Sequence, residues 1–101
     1  MIQRFDPNDA NGIVCVQDVR QVLAGSFSVN PGAVAWSTAV LTVVYRNGGG
    51  VWTTYPGLST LTSSATSSGR IDLSWVDQVA LKITTAEGTS RIWSGSFNAH
   101  A

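Results

Sequence analysis

The run Ala39-Val40-Leu41-Thr42-Val43-Val44-Tyr45-Arg46 decides the fold. β-branched and aromatic side chains fill it, and these fit a pleated, half-buried surface better than a helix. In an extended chain successive side chains point to opposite sides. Leu41, Val43 and Tyr45 therefore share one face, with Thr42 and Arg46 on the other. An apolar face backed by a polar one marks a strand between a core and water.

The same period recurs on both sides of this run. Residues 79–84 set Val79, Leu81 and Ile83 against Lys82 and Thr84. Residues 70–75 alternate as cleanly and place Ile71, Leu73 and Trp75 inward. Residues 19–29 put Leu23, Gly25, Phe27 and Val29 on one face. Segments 13–18, 51–55, 58–62 and 90–97 complete about eight candidate strands.

The punctuation agrees. Asn47-Gly48-Gly49-Gly50 supplies the positive φ angles of a tight hairpin, and Glu87-Gly88-Thr89 does the same between the last two strands. Pro31-Gly32 and Pro56-Gly57 mark turns, and residues 63–69 form a polar loop. One short helical turn fits residues 74–78, but no segment carries a sustained helical period. Strands broken about every 8–12 residues predict an antiparallel sandwich or small barrel. The expectation is a single all-β domain over residues 1–101: an antiparallel β-sandwich, jelly-roll or Ig-like, with residues 1–12 as an N-terminal arm. Gly25 and Gly95 each precede a phenylalanine by two residues, Phe27 and Phe97, which predicts aromatic rings lying over glycines.

Composition bounds the function. A chain of 101 residues that is 44% hydrophobic can bury one core without cross-links. Cys15 is the single cysteine, so no intrachain disulfide forms, and its setting in Ile13-Val14-Cys15-Val16 predicts a buried small hydrophobe. Charged residues make up 12%, against about 25% in ordinary domains, and the net charge is zero. Serine and threonine supply 22 residues. Such a neutral, hydroxyl-rich skin favours association. The basic residues Arg4, Arg20, Arg46, Arg70, Lys82 and Arg91 are scattered, which argues against a nucleic-acid partner. No apolar stretch follows Arg4 as in a signal peptide, and no run approaches the roughly 20 apolar residues of a membrane helix.

Catalytic patterns are missing from the sequence. His100 is the lone histidine and lies close to the end, far from a rigid setting for a general base. One cysteine and one histidine fall short of a zinc ligand set. Gly48-Gly49-Gly50 lacks the lysine and helix of a phosphate loop. Asp6-Pro7-Asn8-Asp9-Ala10-Asn11-Gly12 has the oxygen-rich opening of a calcium loop. Counted from Asp6, however, the fifth position is Ala10, the sixth is Asn11 in place of glycine, and the twelfth is Gln17 in place of glutamate. Asx turns account for it better. No acids besides Asp6 and Asp9 cluster for glycoside hydrolysis. The expectation is no enzyme, no cofactor and no metal.

The aromatics remain. Trp75 and Trp93 follow apolar faces and are expected in the core. Trp52 falls opposite Val51, Thr53 and Tyr55, so one of those faces exposes an aromatic. Trp36 sits in a loop. Trp36, Trp52 and Tyr55 are therefore the interface candidates.

Two stretches carry a resemblance. Ser37-Thr38-Ala39-Val40-Leu41-Thr42-Val43-Val44-Tyr45-Arg46, followed by the glycine-rich turn and Val51-Trp52, is similar to small β-sandwich virion proteins of tailed bacteriophages. So is Val79-Ala80-Leu81-Lys82-Ile83-Thr84-Thr85-Ala86-Glu87-Gly88. The similarity spans about residues 37–98 and transfers no catalytic residue. It implies a virion structural role as a head decoration, fibre-anchor, neck or tail component. The partners it implies are capsid or tail subunits and further copies of the chain, with the virion as location after synthesis in the host cytoplasm and no part for membrane or nucleic acid. The rival expectation is a carbohydrate-binding sandwich module, which would present two or three coplanar aromatics on one face.

Overall fold

The computed structural model describes residues 2–33, 36–88 and 91–100. The chain runs β1 (Ile2–Phe5), β2 (Ile13–Asp18), β3 (Ala24–Asn30), β4 (Val40–Arg46), β5 (Thr53–Thr54), β6 (Ile71–Asp72), β7 (Gln78–Thr85) and β8 (Trp93–His100). Two four-stranded antiparallel sheets result, one ordered β1-β8-β3-β6 and the other β2-β7-β4-β5. They pack face to face as a β-sandwich, and the described residues contain no helix.

Period-two alternation sets the inner face of the long strands. In β4 and β7, Leu41, Val43, Val79, Leu81 and Ile83 are buried and face the opposite sheet. From that sheet Phe27, Val29, Trp93 and Phe97 meet them in one apolar cluster. Trp93 packs on Phe5 with ring centroids 6.2 Å apart, and Phe27 on Phe97 at 5.1 Å. Val44 and Ala80, paired with each other on the outer face, are buried as well.

A ring does cover Gly25, but it comes from the neighbouring strand and not from Phe27, and Gly95 faces Cys15 and Phe5 in place of Phe97. A Cβ on Gly25 would lie 2.3 Å from the Phe97 ring, so the ring of β8 covers the glycine of β3. A Cβ on Gly95 would lie 2.6 Å from Cys15 Sγ. Cys15 itself is buried at φ 56, in a β-bulge where the β2–β7 register shifts between Val14 and Gln17. Burial pushes its thiol pKa up to about 11.

Several boundaries move. Residues 1–12 were expected as an arm, yet Ile2–Phe5 form an edge strand paired to β8. Residues 58–62 give only single bridges, at Leu61 and Thr62, in place of a strand. In place of the helical turn expected over 74–78, a turn over residues 73–76 is closed by Val76 N donating to Leu73 O, at 3.1 Å, and Gln78 already opens β7. The expected turn at residues 87–89 lies partly outside the described residues, as does residue 90, and the strand expected over 90–97 begins at Trp93 and runs on to His100.

Candidate functional site

Loops of a sandwich gather at its two ends. The register shows which loops share an end. Gln78, opening β7, pairs with Asp18, closing β2, and with Arg46, closing β4. Ala24, opening β3, pairs with Asp72 and with His100. The β2–β3, β4–β5 and β6–β7 loops therefore meet at one end.

Asp77 and Asn47 fasten them together. The Asn47 side chain donates to Trp75 O at 3.2 Å and accepts from Asp77 N at 2.7 Å. The Asp77 carboxylate accepts from Gly48 N at 2.8 Å, and its carbonyl accepts from Val19 N at 2.9 Å. Leu73 N donates to Leu23 O at 2.9 Å. The glycines at 48 and 49 have φ of 62 and 73, which the tight hairpin demands.

This end presents apolar groups to solvent. Leu23 is 66% exposed, Val51 86% and Trp75 44%. Trp75 stands on Tyr45, edge to face at 4.8 Å, and beside Tyr55 at 5.5 Å. Tyr55 is buried and donates to Asp72 O at 2.6 Å. Burial, then the charge of Asp72, raises its phenol above the ordinary value. Around the apolar groups lie charges of both signs. Arg20 holds Asp18 at 2.9 Å, and the hydrogen bond from its side chain keeps that carboxyl below the usual carboxylate range. Arg46 bonds Gln78 at 2.7 Å and lays its guanidinium 4.5 Å from the Trp52 ring centre. Two open clefts flank Arg20, one lined by Asp18, Gln21 and Val22, the other by Gly48, Gly49, Asp77 and Gln78. Apolar tips among balanced charges, carried on a braced loop cluster, can bury surface against another protein.

The fold separates the named candidates, with Trp52 and Tyr55 at the loop end and Trp36 at the other. Trp36 is not at the surface: it packs on Trp93 at 4.3 Å in the core cluster at the opposite end, and its Nε1 donates to Ala39 O at 2.8 Å. Its loop position suggested exposure, but residues 36–39 lie against the sandwich end, where Glu87 accepts from the backbone of Ser37, Thr38 and Ala39. Tyr55 supports Trp75 from below, and Trp52 is half-covered under Arg46. Trp75 and Leu23, expected inward, are exposed instead, because β6 stops at Asp72 and β3 starts at Ala24. Leu73, one residue past β6, is still buried, but the turn at Leu73–Val76 carries Trp75 out of the alternation.

The sequence reading also passed over Glu87. Its carboxylate is buried and accepts from Ser37 N, Thr38 N and Ala39 N at 2.8, 2.8 and 2.9 Å, with Arg91 at 3.4 Å. Burial alone would raise its pKa; the three backbone donors and Arg91 outweigh it and hold the pKa below the ordinary value. Glu87 fixes the entry to β4 and is a structural clasp. The calcium-like stretch is an Asx turn, with Asn8 N donating to Asp6 Oδ1 at 2.9 Å. Among the described residues no three His, Cys, Asp or Glu side chains converge as metal ligands. The His100 ring bonds Ser26 Oγ at 3.1 Å across the β3–β8 pair.

The chain shares its fold with a prophage-derived protein. The crystal structure of SPBc2 prophage-derived protein YomS matches with a TM-score of 0.61, covering 99% of this chain and 94% of that one. Identity is 9%, so the likeness is one of fold. No family model matches the chain, and no curated protein sequence does.

Proposed function

We propose that this chain is a non-enzymatic structural protein of a bacteriophage particle, acting by assembly with capsid or tail subunits through the loop end of its sandwich. The observation that carries this reading is the end-to-end agreement in fold with a prophage-derived protein, in which neither chain has a large part the other lacks. The uncharged, hydroxyl-rich composition and the exposed Leu23, Val51 and Trp75 support the same reading. These features suit a subunit whose surface is covered by neighbours.

Exposed Trp75 is also what a sugar-binding sandwich would offer. A sugar platform, though, needs flat, coplanar rings. Tyr45 meets Trp75 at 75°, Tyr55 is buried, and the Trp52 ring carries Arg46. That leaves one exposed ring, which favours assembly. Mass spectrometry of gradient-purified particles from a phage or induced prophage encoding this chain tests the reading. The chain is expected among the abundant virion proteins, and its absence from the particle rejects the proposal.

A further inference from the structure

A sheet edge displays unpaired backbone groups, and proteins protect edges against pairing with other chains. Three of the four edges here are protected. β5 and β6 contribute two residues each, and the chain between them lines the neighbouring strands through single bridges, Leu41 with Leu61 and Ser28 with Ser67. β2 is bent by the bulge at Cys15. Among the described residues β1 has neither a bulge nor a bridge along its open side, and its one charge, Arg4, lies on the outer face. Ile2–Phe5 pair with β8 residue for residue without a shift, hold no proline or glycine, and leave Ile2, Gln3 and Arg4 exposed. Alternation puts Gln3 on the same side as buried Phe5, opposite Gly95. An inward-pointing charge at such a position would blunt the edge; Gln3 is a neutral amide.

We propose that β1 pairs antiparallel with β1 of a second copy across a two-fold axis, joining two four-stranded sheets into one continuous sheet. The strand's own sequence selects this occupant. Directly paired residues lie on one face, so a register must keep Gln3 and Phe5 opposite Gln3 or Phe5. Placing Gln3 opposite Gln3 sets Ile2 opposite Arg4 and creates no like-charge pair. Placing Arg4 opposite Arg4 would confront two guanidinium groups. The first register also lays the Arg4 stem over Ile2, which is 73% exposed in the single chain. A net charge of zero adds no repulsion between copies. Such a contact is isologous and closes at two subunits.

Light scattering on the intact chain and on Gln3→Lys and Gln3→Glu tests this. Position 3 is exposed, so both variants should stay folded and melt cooperatively. The parent is expected at twice its 10.7 kDa chain mass. Each variant alone is expected at the single-chain mass, because like charges face each other on the axis. An equal mixture of the two should restore the doubled mass. A parent that stays monomeric up to roughly 100 µM overturns the proposal. So does a dimer that both variants retain, or a mixture that stays monomeric. The measurement uses the isolated chain, so its failure is separate from the chain's absence from particles.

Discussion

Glu87 shows how a single residue can hold two segments. Three consecutive backbone N–H groups and Arg91 converge on its carboxylate. Removing the acceptor strands those donors, so Glu87→Ala should cost about 3 kcal/mol in a urea melt. The charge also couples folding to pH. The folded pKa lies below the ordinary 4.5, so the stabilisation is whole at neutral pH. It declines as pH falls past the unfolded value and is gone below the folded one. Between about pH 6 and pH 3 the parent's melting temperature should therefore drop more steeply than that of Glu87→Gln. Parallel slopes would show that the clasp carries no charge. Trp36 gives a second residue-scale prediction. Its ring is core, packed at a tilt on Trp93, so Trp36→Ala should destabilise the isolated domain by about 3–5 kcal/mol, read by denaturant titration. An unchanged midpoint would return Trp36 to the surface.

At the scale of elements, β7 is the keystone of its sheet. It pairs with both β2 and β4, and Leu81 at its centre is fully buried. Leu81→Asp places an unpaired charge among apolar side chains and should abolish folding, seen as loss of the cooperative thermal transition. Soluble, cooperatively melting Leu81→Asp would refute the facing assigned to this strand. The long strands β4, β7 and β8 were legible in the sequence because each has a buried and an outward face over many residues. The short elements were not. Thr53–Thr54 and Ile71–Asp72 are two-residue pairings set by what lies beside them, which no local pattern encodes. Trp75 was misread for that reason, since its alternation with Ile71 and Leu73 continues past the end of β6. Glu87 was hidden because its partners stand 48 to 50 residues away.

For the whole molecule, the two sandwich ends differ in kind. One is sealed by Trp36, the Glu87 clasp and the Asp6–Gly12 turn, with Gly88 N donating to Asn8 Oδ1 at 3.1 Å. The other offers Leu23, Val51 and Trp75 on loops braced by Asn47 and Asp77. The loop-end location could not be read from the sequence, because it depends on strand register bringing three separate loops together. The sealed end ties the β1–β2, β3–β4 and β7–β8 loops together, and the open end carries the proposed assembly face. In the proposed particle role, the double variant Leu23→Ser/Val51→Ser tests this division most directly. Both sites are exposed, so the free variant should melt within about 3 °C of the parent. Supplied during phage assembly in place of the parent chain, it should appear in purified particles at roughly one-tenth the parent's amount or less, the loss expected if about 1.4 kcal/mol of contact is removed. Incorporation equal to the parent's would contradict the loop end as the assembly face.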